Sequence, residues 1–246
     1  IDCVRRPGPT PVADTPRVLI CITSIGELNS LRALVNHLVY SGLTVGFVVH
    51  CPTTAHLIGE EIPEAEVVEL PVDLRRNARS LLETLSPSLI IVGDSLYGSP
   101  LNFLTEAAVR RIPTVLLNGV PFDTPHAKPA LWLRCYYREF FRRYSQIFVA
   151  TAEAQERFLE LGVDPSRIAL APNTRWIGSD LTSREKRVAE ELAKLFQISP
   201  GRPVITVASL HSGEEALLIR LALEARTLAT KPLIIVAPRS PHAWGG

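Results

Sequence analysis

The apolar stretch Arg17-Val-Leu-Ile-Cys-Ile22 continues through Thr23-Ser-Ile-Gly-Glu-Leu28 into Asn29-Ser-Leu-Arg-Ala-Leu-Val-Asn-His-Leu38. The first segment has the length and composition of a buried strand, and the last carries apolar residues at helical spacing. Glu27 is therefore predicted at a strand-to-helix switch, where side chains point out from the carboxyl edge of a parallel sheet. A carboxylate at such a position either begins the helix or takes part in a reaction.

The alternation of strand and helix continues beyond this stretch. Further β-branched runs are found at 43–49, 66–70, 88–92, 114–117, 146–150 and 168–171. Helical patterns lie between them, near 25–41, 54–61, 74–86, 100–111, 128–144 and 152–161. Parallel strands need a crossover connection, which is usually a helix. The pattern therefore predicts a doubly wound α/β domain.

The pattern changes near residue 178 and divides the chain into parts. Residues 1–16 are rich in proline and are predicted to be a tail or linker, and residues 17–178 form the first α/β domain. Residues 179–246 begin with a charged helix and continue as one strand–helix–strand unit. One such unit cannot complete a sheet, so we expect the second domain to be truncated and the chain to be a piece of a longer protein.

Composition excludes several classes of function. The 26 basic and 25 acidic residues nearly balance, so no overall field attracts nucleic acid or anionic membranes. The four cysteines lack metal-ligand spacing, and no GxGxxG, Walker or HExxH pattern is present, so neither a metal nor a bound cofactor is predicted. No apolar run reaches the length of a membrane span.

Ser24 and Glu27 have the spacing of a capping box, in which serine caps the amide of Glu27 and the carboxylate reaches back to the serine amide. The functional alternative is a carboxylate that takes a proton from a sugar hydroxyl. Gly26 favours this alternative, because a missing side chain lets a substrate approach the backbone. Spacing alone leaves both interpretations open.

The second domain repeats this arrangement in Ser209-Leu-His-Ser-Gly-Glu-Glu215. Free amides and hydroxyls at a helix N-terminus form a phosphate site, and Arg239 would add a guanidinium if the two strands are neighbours. The alternatives are a second capping box between Ser212 and Glu215, a solvated His211 and a surface salt bridge for Arg239.

The segment 134–144 interleaves arginines with aromatic residues on one predicted helix. Such a helix either packs its rings on the sheet or places them at the headgroup depth of a membrane. The first interpretation needs no partner, and the second predicts a peripheral membrane contact.

In their order and spacing, these motifs resemble those of the Kdo transferases, the 3-deoxy-D-manno-octulosonic acid transferases of lipopolysaccharide assembly, which are GT-B glycosyltransferases. The resembling segments are Ser24-Ile-Gly-Glu27, Pro52-Thr-Thr-Ala55, Pro71-Val-Asp-Leu74, Pro113-Thr-Val-Leu-Leu-Asn118, the segment 155–162, Asn173-Thr-Arg-Trp176, Ala208-Ser-Leu-His-Ser-Gly-Glu-Glu215 and Pro238-Arg239. The resemblance implies a GT-B-like α/β fold, with a doubly wound parallel-sheet domain followed by the start of a Rossmann-like domain.

The resemblance also implies an activity, namely inverting and metal-independent transfer of Kdo from CMP-Kdo to a lipid A precursor at the cytoplasmic face of the bacterial inner membrane. Glu27 would be the catalytic base. The implied donor-binding residues are Ser209, His211, Ser212, Gly213, Glu215 and Arg239. The acceptor-side candidates are Ser24, Gly26, Thr53, Thr54, Asp94 and Asn118. The partners would be a nucleotide-sugar donor and a lipid-linked saccharide acceptor, with peripheral membrane contact and no nucleic acid.

The chain departs from the family pattern after its predicted strand at 88–92. The family's E-T-E-L-W-P-N corresponds to Gly93-Asp-Ser-Leu-Tyr-Gly-Ser-Pro-Leu-Asn102, so its acidic positions fall on Gly93 and Ser95, and Asp94 offers a displaced carboxylate. This departure keeps two alternatives open. One is a non-catalytic relative that binds a nucleotide or lipid saccharide, and the other is a GT-B transferase or sugar-nucleotide epimerase that uses another nucleotide sugar.

Overall fold

A computed structural model of the chain describes residues 5–6, 16–49, 52–62, 65–70, 72–93, 100–121, 131–177, 183–211 and 213–238. The chain divides into two compact units, Ile1–Ser179 and Asp180–Gly246. Within the described residues, the first unit holds a sheet of eight strands and the second a sheet of two.

The strands of the first unit form a predominantly parallel sheet. They are β1 (Arg5–Arg6), β2 (Arg17–Ile22), β3 (Thr44–Val49), β4 (Glu66–Glu69), β5 (Leu89–Val92), β6 (Thr114–Leu116), β7 (Gln146–Val149) and β8 (Ile168–Leu170). Their order across the sheet is β1-β4-β3-β2-β5-β6-β7-β8. The short β1 pairs antiparallel with β4, and the other seven strands are parallel.

The helices of this unit lie between the strands, as the sequence pattern predicts. They are α1 (Ile25–Tyr40), α2 (Pro52–Glu61), α3 (Arg75–Leu85), α4 (Leu101–Val109), α5 (Leu131–Phe141) and α6 (Ala152–Glu160). Two 3-10 helices follow at Pro165–Arg167 and Thr174–Trp176. The predicted doubly wound α/β architecture is confirmed.

The central strand β2 is buried along its whole length because helices cover both faces of the sheet. Leu19 and Cys21 belong to the core on one face, and Val18, Ile20 and Ile22 belong to the core on the other. Cys21 is 3% exposed, as expected of a cysteine that acts as a small apolar residue. Burial raises the pKa of its thiol, and the nearby Asp73 and Glu27 carboxylates raise it further.

Three aromatic residues of the segment 134–144 are buried in the core beneath the sheet, two in α5 and one, Tyr144, just after it. Phe141 and Tyr144 are fully buried and Phe140 nearly so, and the Phe141 ring meets the Phe158 ring of α6 edge-on with their centroids 5.0 Å apart. Tyr136 is about half exposed. For the three buried rings, the prediction of a core-packing helix is confirmed.

A buried carboxylate joins α3 to α4. The side chain of Glu106 is 1% exposed and accepts hydrogen bonds from Arg75 at 2.5 Å, from Arg110 at 2.5 Å and from Arg79 at 3.4 Å. These hydrogen bonds, with that of Arg75 contributing most, lower the pKa of Glu106 to about 2. The network holds α3, which follows β4, against α4, which precedes β6.

The second unit begins with the charged helix α7 (Ser183–Leu195). Its two-stranded sheet pairs β9 (Val204–Leu210) in parallel with β10 (Leu233–Pro238), and α8 (Glu215–Thr227) connects the strands. The predicted strand–helix–strand unit is thus present, and its strands are neighbours. None of the helices in the described residues is long and apolar enough to cross a membrane.

Candidate active site

The strand order changes direction between β2 and β5, which lie side by side although two strands separate them along the chain. In open sheets of this type, ligands bind outside the carboxyl ends of the strands at such a switch point. The segment 23–27 follows β2, and Gly93 follows β5. The fold therefore places Glu27 at the crevice where a substrate is expected.

The entry to α1 shows how Glu27 is held. Ser24 has extended backbone angles, and its hydroxyl accepts a hydrogen bond from the Glu27 amide at 3.3 Å. The Glu27 carboxylate accepts from the Thr23 amide at 2.6 Å and from the Thr23 hydroxyl at 2.7 Å. Half of the predicted capping box is thus present, but the carboxylate reaches the amide of Thr23, one residue before the predicted partner.

Glu27 is only 7% exposed, whereas Ser24 and Gly26 are exposed and Thr23 is half-buried. The Thr23 hydroxyl, which donates to the Glu27 carboxylate, thus belongs to a residue that is more accessible than Glu27. Sequence reasoning missed Thr23, because a threonine before an N-cap has no pattern of its own. The hydrogen bond from Thr23 to Glu27 depends on a side-chain rotamer, which the sequence does not specify.

Gly93 lies close beside Glu27, at a position where the family pattern has an acidic residue. A Cβ atom at Gly93 would lie 3.1 Å from Leu31 Cδ1 and 3.8 Å from Glu27 Cβ. Leu31 is fully buried, so any side chain at residue 93 would press on the core. The predicted acceptor residue Asp94 lies outside the described residues.

The other acceptor-side candidates lie on the same edge of the sheet. Thr53 and Thr54 are in the first turn of α2, where Thr53 is exposed and Thr54 is buried. Asn118 follows β6 in a left-handed conformation with φ 52° and is 5% exposed. It donates to the Thr174 hydroxyl at 2.7 Å and accepts from the Thr174 amide at 2.9 Å.

Asn118 thus holds Thr174, the first residue of the 3-10 helix Thr174–Trp176, which is capped by Asn173 and packs against α1. This contact links the residue after β6 to the helix that begins at Glu27. Asn118 has a structural role in the candidate site, and its role in acceptor binding stays a prediction.

Asp73 organises this edge in a way that sequence reasoning did not identify. Its carboxylate accepts from the amides of Asn102 at 2.7 Å and Phe103 at 3.0 Å, and its backbone oxygen accepts from the Asn102 side chain at 2.6 Å. A residue after β4 thereby caps α4 from a distance. The need for such a distant cap could have been found from Pro100, the N-cap of α4. Its side chain has no hydrogen-bond donor or acceptor and makes no cap hydrogen bond.

Replacing Asp73 by Ala is expected to lower the free energy of unfolding by about 1–2 kcal/mol, because the first turn of α4 loses its cap. Urea denaturation of the isolated chain measures this change. Asp164→Ala is the matched control, since Asp164 caps the short, exposed 3-10 helix at Pro165–Arg167. Equal losses in the two variants would contradict a special role for Asp73.

The predicted donor-side residues lie at the start of α8. Gly213 has φ 96° and its amide donates to the Glu215 carboxylate at 2.7 Å, while the His211 amide donates to the Glu214 carboxylate at 2.7 Å. Ser209 and His211 are exposed. Two amides that were predicted to hold phosphate are therefore paired with carboxylates of the N-cap residue and the first residue of α8.

Two further donor-side predictions, Ser212 and Arg239, lie outside the described residues. The proposed capping box between Ser212 and Glu215 is consequently untested, although Glu215 does accept from the amide of Gly213. Within the described part of the chain, no group of three or more His, Cys, Asp or Glu residues could hold a metal ion.

The fold of this chain is also found in solved structures of other proteins. UDP-GlcNAc 2-epimerase from Neisseria meningitidis superposes with a TM-score of 0.66 at 13% identity, covering 89% of this chain and 64% of that one. A glycosyltransferase from Rickettsia africae superposes with a TM-score of 0.60 at 11% identity, covering 87% of this chain and 57% of that one. The chain therefore has the fold of GT-B glycosyltransferases and related epimerases.

The sequence then identifies the family within that class. Residues 4–177 match the family described as 3-deoxy-D-manno-octulosonic-acid transferase (kdotransferase). This chain belongs to the Kdo transferase family, as its motifs predict.

Named relatives agree with this assignment. The 3-deoxy-D-manno-octulosonic acid transferase of Bordetella pertussis is 26% identical over 247 residues, covering 96% of this chain and 55% of the relative. That of Haemophilus influenzae is 21% identical over 232 residues, covering 92% of this chain and 52% of the relative. The chain thus spans about half the length of these curated relatives.

Proposed function

We propose that this chain supplies the acceptor-side domain and the start of the donor domain of a glycosyltransferase that transfers Kdo from CMP-Kdo to a lipid A precursor in lipopolysaccharide biosynthesis. The observation that carries the proposal is the position of Glu27 at the switch point of the sheet, in a chain of the Kdo transferase family. The transfer inverts the anomeric centre, needs no bound metal or cofactor, and takes place at the cytoplasmic face of the inner membrane.

In this reaction, the acceptor hydroxyl loses its proton as its oxygen attacks the anomeric carbon of Kdo. Both Glu27 oxygens accept hydrogen bonds, as those of an ionised carboxylate do. The Thr23 hydroxyl donates to Glu27 and keeps lone pairs that can accept a hydrogen bond from the acceptor. The acceptor proton passes to Thr23 Oγ1 while the proton of Thr23 passes to Glu27 Oε1, so Thr23 ends unchanged and Glu27 is protonated.

The bond that breaks joins the anomeric carbon to the phosphate oxygen of CMP, and CMP leaves with the electron pair. A helix N-terminus stabilises negative charge on phosphate, and α8 with its 13 residues offers one. To bind there, the phosphate displaces the Glu214 and Glu215 carboxylates from the amides of His211 and Gly213. Ser209, Ser212 and Arg239 complete the proposed donor site.

The proposal is tested by assaying the longer protein of which this chain is expected to be a piece. Incubation with CMP-Kdo and a lipid A precursor is expected to release CMP only when both substrates are present, with a matching mass increase of the acceptor. CMP release without acceptor modification would indicate donor hydrolysis and contradict the transfer. Replacing CMP-Kdo by UDP-GlcNAc provides the control, and turnover of that donor would favour an enzyme that uses another nucleotide sugar.

The second candidate is a non-catalytic relative that binds a nucleotide or lipid saccharide. Two observations favour it: Gly93 replaces an acidic residue of the family pattern, and Glu27 is nearly buried. Under this alternative, the longer protein binds CMP but releases none from CMP-Kdo. Calorimetric titration with CMP and with UDP, alongside the transfer assay, separates it from the first candidate.

A further inference from the structure

Four arginines converge at the edge of the sheet opposite the candidate active site. Arg111 precedes β6, Arg142 and Arg143 precede β7, and Arg167 precedes β8. They line a cleft of about 560 Å³ together with residues that include Pro113, Ser145 and Ser166. We call this cleft the arginine basin. The four residues of β7 span about 13 Å, so this edge is separated from the edge that carries the candidate active site by at least that distance.

Two of these arginines are held in place by uncharged oxygen atoms. Arg167 donates to the backbone oxygens of Arg142 at 2.7 Å and Tyr144 at 3.0 Å. Arg143 donates to the Thr105 hydroxyl at 2.8 Å and to the backbone oxygen of Glu139. These contacts orient both guanidinium groups without neutralising their charge.

The other two arginines are more exposed. Arg142 forms an ion pair with Glu139 at 2.9 Å, in which both side chains are more than half exposed, so the pair is weak. Arg111 forms no ion pair with any described residue and has a left-handed backbone with φ 56°. Asp164, whose carboxylate lies near Arg167, accepts hydrogen bonds from Ser166 at 2.9 and 2.8 Å.

A simpler interpretation is that these arginines only compensate the ends of α4 and α5, which finish at this edge. Each helix C-terminus contributes about half a negative charge. Together with Glu139 and Asp164, the two ends amount to about three negative charges against four positive ones. The basin therefore remains positive, and its arginines approach from three different connections of the sheet.

We propose that the arginine basin binds a phosphate group, either of a small phosphate ester or of an anionic lipid headgroup. Guanidinium groups recognise phosphate oxygens through paired hydrogen bonds, and here two of them are already oriented. The basin lies outside the transfer site, so this binding does not depend on Glu27 or on the proposed reaction.

The test uses two probes on the same chain. Inorganic phosphate is titrated by calorimetry, and sedimentation measures binding to vesicles of phosphatidylcholine with and without phosphatidylglycerol. The test variant is Arg111→Gln with Arg142→Gln, which leaves the arginines that support backbone oxygens intact. The control is Arg76→Gln with Lys186→Gln, which removes the same charge from exposed positions elsewhere.

The basin variant is expected to lose about tenfold or more in affinity, while the control stays near the wild type. The variant Arg111→Lys with Arg142→Lys keeps the positive charge but loses the paired hydrogen bonds of the guanidinium groups. Its affinity should lie between those of the wild type and the basin variant. Phosphate binding without vesicle binding identifies a small ester as the ligand, and binding to vesicles that requires phosphatidylglycerol identifies a lipid headgroup, whether or not free phosphate also binds. Binding of neither probe, or equal losses in the basin and control variants, would overturn the proposal.

Discussion

Replacing Glu27 by Gln in the longer protein is expected to reduce Kdo transfer by about 10²–10⁴-fold, the usual contribution of a general base. Gln has nearly the same shape and keeps an oxygen that can accept from Thr23, so the start of α1 should persist. The loss should therefore fall on kcat, while the KM for CMP-Kdo changes little. Steady-state kinetics with thermal unfolding of the same samples measures both effects.

The alternative is that Glu27 serves only to begin its helix. Thr151→Ala is the matched control, because Thr151 caps α6 through its hydroxyl and lies outside the candidate site. It is expected to cost about 1 kcal/mol of stability and to leave transfer unchanged. If Glu27→Gln also loses stability and keeps its specific activity, Glu27 is a cap and not a base. Thr23→Val then tests the proton path, since it removes the hydroxyl and keeps the carboxylate.

The second large effect is expected at Glu106. Glu106→Gln should strongly lower the urea midpoint of the chain at pH 7, because three arginines lose the one carboxylate that they share. Glu83→Gln is the control, as Glu83 is 61% exposed and pairs with Arg110 at 2.8 Å. Exposed pairs contribute little, so the control midpoint should move only slightly.

The effect of Glu106→Gln should also depend on pH in a defined direction. Arg75, Arg110 and Arg79 lower the pKa of Glu106 from its ordinary value of 4.5 to about 2. A carboxyl group with a lowered pKa stabilises the fold fully above the ordinary value, and this contribution is lost as the pH falls towards about 2. The difference between wild type and Glu106→Gln should therefore be largest above pH 5 and shrink below it. A constant difference down to pH 3 would contradict this explanation.

The sequence alone was sufficient for the architecture and for the family. Strands and helices could be predicted because each depends on the local spacing of apolar residues, as in the fully buried β2. Their alternation along the chain then predicted a parallel sheet. The family could also be predicted, because the order and spacing of short motifs along the chain resemble those of the Kdo transferases. Glu27 could be placed at the carboxyl edge because it follows a strand within five residues.

Only the tertiary structure decided which partners these residues have. Asp73 caps a helix that begins 28 residues later, and Glu106 of α4 binds Arg75 and Arg79 of α3. Asn118 binds Thr174 across the sheet. Such contacts join residues that are distant along the chain, and their hydrogen bonds depend on side-chain directions that periodicity does not specify. The arginine basin is the same case: its four charges come from three separate connections, and the order of the strands in the sheet brings them together.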